Sequence, residues 1–378
     1  MKFIQAVLIL SGMIIGVGMF AIPFSFAASG FWPGMAVFAV VAAIVAVIHV
    51  CYGDVVLLTP EFHRLPGYVR LHLGSKPAWL AYGSAIFGIG GTLVAYILLG
   101  GFFLESVIRY TFAASPSSAL LMAIFAGAGA LITLLPLNDK TLINGILTLL
   151  LVGFILMLSV VLLPYAKVEH FSGFSPGRML APYGVLMFAF SGAAVIPDLI
   201  GFLGRETRAS RRAIVVGSLI PPAVYVVFVA AVVGASGAVA SPDAIAGLIP
   251  VIGERAVAWG SAIGFLAVFT SYIVLTSSFQ AFFRYDLGAG RRMASALGVV
   301  VPLLFLFIGV SDYIAVIAAV GALSFGLDAA MIFLMYRLAH RGLGDSRALF
   351  GRATTLVLAV ISCMIAVGMG YEIYKILA

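Results

Sequence analysis

Long apolar runs, each closed by a short polar or basic stretch, follow one another along all 378 residues. Runs near or above the ~20 residues that a bilayer-crossing helix needs occupy 3–28, 31–58, 79–108, 118–136, 142–165, 178–204, 212–236, 256–283, 293–309, 312–336 and 353–374. The pattern predicts an all-α polytopic membrane protein with about eleven transmembrane helices. The longest connections, around 59–78, 237–255 and 337–352, leave no room for a soluble domain, so a single membrane domain over 1–378 is expected.

Two of these runs carry the same interruption. The first contains Gly18-Met19-Phe20-Ala21-Ile22-Pro23 and the sixth contains Gly192-Ala193-Ala194-Val195-Ile196-Pro197. Glycine weakens a helix and proline removes a backbone donor, and lipid supplies no water to satisfy what is freed. Unwound backbone at that depth must line a cavity. A matched pair of interrupted helices in two halves points to the substrate site of a secondary transporter with inverted repeats. Chance is the competing reading, since Ile-Pro also occurs at Ile220-Pro221 and Ile249-Pro250 in a chain with 42 glycines. Dividing the chain at 166–177 gives five helices in 3–165, five in 178–336 and an eleventh at 353–374. Five is odd, so the second set crosses in the opposite sense and any structural repeat is an inverted one.

Composition supports the membrane reading. With 63% hydrophobic and 9% charged residues and a mean hydropathy of +1.20, the chain lacks the polar surface of a soluble globule. The net charge of +7 is distributed by loop. With the N-terminus cytoplasmic, 16 of the 21 lysines and arginines fall inside, and Arg109, Lys167, Arg178, Arg255 and Lys375 fall outside. That asymmetry is the positive-inside rule, so the charge records orientation and not a nucleic-acid partner. It also places the C-terminus outside the cytoplasm. Trp32, Trp79 and Trp259 stand near expected helix ends, where amphipathic rings prefer the headgroup level. Lys2 and Ala27-Ala28 imitate a secretory signal, but the apolar run is too long and contains Pro23, which indicates a retained first helix. Cys51 and Cys363 show no CxxC spacing, so neither a metal site nor a disulfide framework is indicated, and no cofactor is expected. Short loops suggest a bacterial inner membrane.

The segment from Gly12 to Gly34, GMIIGVGMFAIPFSFAASGFWPG, resembles the first helix of the amino acid/auxin permease and aromatic amino acid permease families. Those families write Gly-x-Gly-(Met/Ile)-Leu-x-Leu-Pro, then an aromatic-rich run and a glycine. Phe188-Ala189-Phe190-Ser191-Gly192 is similar to a sixth-helix segment of the wider amino acid–polyamine–organocation superfamily, and Glu206 with Arg208, Arg211 and Arg212 resembles its cytoplasmic loop. The resemblance implies the LeuT-type five-plus-five inverted repeat with helices one and six broken. It also implies cation-driven import of an amino acid by alternating access, with helices one, two, six and seven moving against the rest. Ala193-Ala194 replaces the Phe-Glu that many members carry. The Asn-rich first-helix motif of sodium symporters and the Asp-Pro-Gly-Asn signature of metal-ion transporters are both missing, which argues against a divalent metal as cargo.

An amino acid presents a carboxylate and an ammonium. A broken helix meets both, through free N–H groups at the start of one half and free carbonyls at the end of the other. Gly16, Val17 and Gly18 are placed for that role, with close helix packing of Gly12 and Gly16 as the competing reading. The resemblance assigns the N–H groups of Val17 and Gly18 to the carboxylate and the Ile14 carbonyl to the amine, with Phe188, Phe190, Ser191, Gly192 and Ala193 shaping the side-chain pocket. Tyr82, Gly88, Gly90, Gly91 and Tyr96 are expected to line or back the same cavity. Small pocket residues without a charge favour a neutral, apolar or aromatic amino acid.

The coupling ion has two readings. Hard cations take oxygen ligands, and the eighth helix offers Thr270-Ser271 and Thr276-Ser277. The resemblance implies a Na+ site made of the Gly12 and Ile15 carbonyls with Thr276 and Ser277, against the alternative that these hydroxyls bond their own backbone. Intramembrane acids point instead to protons. Asp198 and Asp328 are the candidates, although Asp198 could cap the second half of helix six and Asp328 could pair with a hydroxyl. His49, Asp54 and Glu105 read as packing or interfacial residues, and no lysine falls inside helix five. Two rivals to a transporter remain: a membrane enzyme, which needs converging acids and histidines where the five histidines are scattered, and an amino acid sensor on a transporter fold. Carriage of another small organic solute is a further alternative, and the sequence leaves oligomeric state open.

Overall fold

The computed structural model describes residues 2–133, 140–307, 309–340, 349 and 351–377, and every regular element among them is helical. The first span is bent: α1a (Lys2–Ile14) and α1b (Val17–Ser29) meet at 47°. Next come α2 (Phe31–Leu58), α3 (Ser75–Phe112), α4 (Ser118–Thr133) and α5 (Lys140–Leu162). The second set is α6a (Pro182–Ala189), α6b (Ile196–Phe202), α7 (Thr207–Ser236), α8 (Ile249–Ala281), α9 (Arg291–Phe307) and the span α10 (Tyr313–Ala339). α11 (Thr354–Leu377) follows. Among the described residues seven helices are long and apolar enough to cross a bilayer, or eight if the bent first pair is one span; α2 is bounded as read and α3 is longer by four residues at each end. The stretch of the expected 118–136 helix beyond Thr133, and the loop residues Arg341 and Arg347, lie outside the described residues.

Helices are the only open-chain solution in lipid, because each satisfies its own backbone groups. Several of the sharp turns fall on glycine. Gly30, at φ +91°, joins α1b to α2, a conformation that costs a residue without Cβ little. Trp32, Trp79 and Trp259 are 66%, 69% and 74% exposed, so their rings face outward near helix ends as expected of headgroup anchors.

Packing places the two interrupted spans at the centre. α1a lies chiefly on α7, α8 lies on α3 and α5, and α10 packs on α2, α3 and α6a. One end of the bundle is polar. There Phe3 adjoins Glu206, Arg208 and Arg212, and Arg211 pairs with Asp54 of α2 at 2.6 and 2.9 Å. Arg205 donates to the carbonyls of Val56, Leu57 and Thr59 at the end of α2 and lies over the Phe62 ring. Arg64, just before the short helix Leu65–Leu73, pairs with Asp286 beyond α8.

Candidate functional site

The break in the first span begins where α-helical bonding stops. The Ile15 N–H still reaches the Ser11 carbonyl at 2.9 Å, Gly16 is then extended at φ −152°, and the chain restarts as a 3-10 turn over Val17–Ala21. Its carbonyls are taken up from a distance. The Tyr225 hydroxyl of α7 donates to the Ile14 carbonyl at 2.8 Å and neighbours the Gly16 N–H. The Tyr313 hydroxyl of α10 donates to the Val17 carbonyl at 2.8 Å. Both tyrosines are fully buried, and Tyr96 of α3, half-buried, stands beside both. Buried tyrosine hydroxyls need partners, and here the broken helix provides them.

The break in the sixth span is built the same way. After Ser191, whose N–H reaches the Phe188 carbonyl at 3.1 Å, Gly192 leaves the helix and Ala193–Val195 form a 3-10 turn before Pro197 restarts it. The Gly192 N–H donates to Nε2 of His49 at 3.2 Å. That fixes the His49 proton on Nδ1, which lies 2.9 Å from Ser218 Oγ of α7 and donates to it. His49, read from sequence as a packing residue, thus supplies an acceptor to a freed backbone donor.

The two breaks touch. A Cβ on Gly18 would lie 2.8 Å from both Ala189 Cα and Phe188 Cδ1, and one on Gly192 would lie 2.6 Å from Ile14 Cγ1. Ile14, Val17, Gly18, Phe188, Phe190 and Gly192 are buried, whereas Gly16, Ser191 and Ala193 are partly open. Aromatic rings enclose this junction. Phe190 stacks on Tyr225 with centroids 5.9 Å apart, Phe20 meets Phe103 edge-on at 5.1 Å, and Phe188 faces Phe325 at 6.0 Å. Polar contact at the junction therefore comes from the main chain, tyrosine hydroxyls and the His49 ring, within an apolar, aromatic wall.

The ion-coupling candidates sit on separate elements: Gly12 on α1a, Ile15 at the break that follows it, and Thr276 and Ser277 on α8. Ser277 Oγ donates back to the Ile273 carbonyl at 2.9 Å, while the buried Thr276 hydroxyl meets the Tyr272 hydroxyl one turn earlier on the same helix. Asp198 departs from expectation. It is exposed, forms no cap on α6b and has no hydrogen bond or ion pair among the described residues. The donors it was expected to cap are met by His49 and by the Gly192 carbonyl, which accepts from Val195 at 3.3 Å. Asp328 of α10 is half-buried and accepts from Ser84 of α3 at 2.7 Å. Asp54 is held by Arg211, and Glu105 by Arg109 and Ser118. Among the described residues no three His, Cys, Asp or Glu side chains cluster to hold a metal.

Sequence reasoning missed Tyr225, Tyr313, Ser218 and Ser84. The available signal was a lone hydroxyl inside an apolar span, which lipid cannot satisfy.

The profile of the tryptophan/tyrosine permease family matches residues 1–367. No curated protein sequence matches the chain. Among solved structures, the crystal structure of MhsT in complex with L-phenylalanine superposes with a TM-score of 0.70 at 15% identity, covering 99% of this chain and 97% of that one. The inward-facing conformation of Mhp1 superposes at 0.66 and 14% identity, covering 99% and 91%. The fold is the LeuT-type arrangement with its first and sixth helices broken.

Proposed function

This chain belongs to the tryptophan/tyrosine permease family, and on that premise we propose that it imports a neutral amino acid with an aromatic or apolar side chain. It is a multi-pass membrane transporter for amino acids and not an enzyme. In this reading the substrate lies at the junction of the two breaks. The N–H groups of Val17 and Gly18 face its carboxylate and the Ile14 carbonyl faces its ammonium. Phe188, Phe190, Ser191, Gly192 and Ala193 surround its side chain. The observation that carries the substrate class is the junction itself: main-chain groups, tyrosine hydroxyls and the His49 imidazole within a ring of Phe20, Phe103, Phe188, Phe190 and Tyr225. A charged side chain placed there would lose its hydration without gaining a counter-ion. The L-phenylalanine bound in the MhsT structure supports the same class.

The five-helix sets 3–165 and 178–336 are the inverted repeats of this scheme, in a bacterial inner membrane with a cytoplasmic N-terminus. Import is driven by a cation gradient. The cation is either Na+, with the Gly12 and Ile15 carbonyls, Thr276 and Ser277 as its ligands, or a proton, with Asp198 or Asp328 as its carrier.

The test is uptake and counterflow in proteoliposomes of the purified chain, with tritiated L-tryptophan, L-tyrosine, L-phenylalanine, L-leucine, L-lysine and L-glutamate. Saturable transport of the first four, and none of the last two, is expected. Preference for lysine or glutamate would overturn the substrate class. Binding without transport of any of the six would favour a sensor.

A further inference from the structure

The geometry points to Asp328 as the group that carries the coupling proton, with α10 as the element that passes its charge state to both helix breaks. The inference rests on the transporter reading and deepens it by choosing, on the proton branch of that reading, one carrier residue and the path from it to the substrate junction.

α10 is not a plain helix. Five residues, Val320–Ser324, are wound as a π-helix, and Asp328 lies one turn beyond them. Such a segment costs regular hydrogen bonding and recurs at functional sites. It is packed tightly on two sides. Gly88 of α3 abuts Ser324 Oγ, and a Cβ on Gly321 would lie 2.6 Å from the Phe188 nitrogen of α6a. Neither neighbour tolerates displacement of the π-turn without moving itself.

Ser84 of α3 connects this turn to the acid. Its Oγ lies 2.7 Å from Asp328 Oδ1, 3.0 Å from Ser324 Oγ and 3.1 Å from the Ser324 carbonyl, while Ser324 Oγ donates to the Ser84 carbonyl at 2.9 Å. A serine hydroxyl has one proton to give. With Asp328 ionised, that proton goes to the carboxylate, a charge-assisted bond and the stronger choice. With Asp328 protonated, the carboxyl itself becomes a donor, and the Ser84 proton is released to the Ser324 carbonyl inside the π-turn. Adding one proton therefore redirects one hydrogen bond onto the irregular segment. No bond other than that to the proton is made or broken.

The same helix reaches the substrate junction twice. Tyr313 donates to the Val17 carbonyl in the first break. Phe325, which directly follows the π-turn, faces the Phe188 ring of the sixth span at 6.0 Å. A shift in the π-turn is thus felt by both breaks through contacts already in place.

Asp328 has no cation paired with it among the described residues. On the elements packed against α10, the titratable and charged groups are His49, Cys51, Tyr52 and Asp54 of α2, Lys76, Tyr82, Tyr96, Glu105, Arg109 and Tyr110 of α3, Tyr68, Arg70 and His72 of the short helix, Tyr183 of α6a, and Cys363, Tyr371, Glu372, Tyr374 and Lys375 of α11. Asp198 of α6b and Asp328 both act on Tyr52 electrostatically. Asp54 is held by Arg211, Glu105 by Arg109 and Glu372 by Lys375. Among the described residues Asp328 is the acid here with a hydroxyl partner, partial access and no paired cation, the properties that a reversible proton carrier requires.

The experiment uses the full chain in sodium-free proteoliposomes, with tritiated L-tryptophan, L-tyrosine and L-phenylalanine as probes. For wild type, an interior one pH unit more alkaline should drive roughly tenfold accumulation at one proton per substrate. Asp328→Asn should lose accumulation completely, to a ratio of one, while keeping substrate exchange at zero pH gradient within about threefold of wild type. Ser84→Ala should move the pH of half-maximal uptake by half a unit or more with exchange retained. Accumulation by Asp328→Asn equal to wild type would overturn the inference, as would wild-type accumulation that ignores pH here and, in a parallel set of vesicles with an imposed sodium gradient, follows that gradient. If Asp328→Asn does not purify as a folded species, an unmoved pH midpoint in Ser84→Ala overturns it instead. Wild type that exchanges none of the probes would bring down the transporter reading, and this inference with it.

Discussion

Gly18→Ala places a single methyl where the two broken helices meet, and the geometry fixes who must yield. The new carbon would lie 2.8 Å from Ala189 Cα and Phe188 Cδ1, about 0.6 Å short of the 3.4 Å at which ordinary contact begins. Ala189 cannot rotate away, because the clashing atom is backbone. α6a cannot retreat either, since Gly184 already presses on the Ala318 backbone and Gly321 on Phe188. The displacement falls on α1b, whose Val17 carbonyl is tied to Tyr313. Overpacking of this kind costs about 1–3 kcal/mol. Borne by the bound state, that weakens substrate binding roughly 5- to 150-fold. The assay is equilibrium binding of tritiated L-phenylalanine, L-tryptophan and L-tyrosine to purified protein by scintillation proximity. Gly83→Ala on α3 serves as control, since its Cβ would meet nothing within 4 Å. Affinity in Gly18→Ala within twofold of wild type would refute the placement of substrate at this junction.

Three further expectations follow from contacts outside that pair. Tyr225→Phe removes the donor to the Ile14 carbonyl and leaves it buried, at about 1–3 kcal/mol; the ligand-free protein should melt lower, yet gain more from bound amino acid than wild type does, because the ammonium supplies the missing donor. An equal or smaller ligand-induced shift in melting temperature would count against the Ile14 assignment. Arg211→Ala strands the Asp54 carboxylate, which is 1% exposed against 40% for its partner, and should destabilise by about 1–3 kcal/mol; Asp54→Asn in the same background should recover much of this, and a double-mutant cycle in thermal unfolding without coupling would refute it. His72, on the short helix Leu65–Leu73, accepts or donates a 2.9 Å bond with Thr59 Oγ1, and burial lowers its pKa below the usual 6.5. The folded state therefore favours neutral imidazole, so its contribution is complete above pH 6.5 and is lost as pH falls toward the lowered value. His72→Gln should flatten the melting-temperature profile below pH 6.5, and an unchanged slope would show that the ring titrates freely.

The spans were legible because lipid imposes one rule on every residue of a crossing helix, and a run such as 31–58 obeys it throughout. The breaks were legible because glycine and proline write an interruption locally, at Gly18-to-Pro23 and Gly192-to-Pro197. What satisfies the breaks was not legible. Tyr225 is 211 residues from Ile14, and Tyr313 is 296 from Val17; nothing near either tyrosine says which carbonyl it will meet. Asp198 misled for the opposite reason. A carboxylate after Pro197 has the local spelling of a cap, but His49, arriving from another helix, already holds the Gly192 N–H. The π-turn at Val320–Ser324 has no local spelling at all: it exists because Gly88, Gly184 and Gly321 let three helices close on one another.

Arg205 has a mechanical consequence. Its guanidinium gathers the last carbonyls of α2 while its backbone, at φ +63°, turns the chain between α6b and α7. With Arg211 and Asp54 bracing α7 to α2 alongside, three helix ends are riveted into one plate. The exposed Arg64–Asp286 pair that fastens the neighbouring segment to the end of α8 is a latch of a different grade, worth about 0–1 kcal/mol and softened by salt. The same end of the bundle is therefore held in two grades, a braced group of helix ends and a salt-sensitive surface pair, so raising ionic strength loosens the second and spares the first.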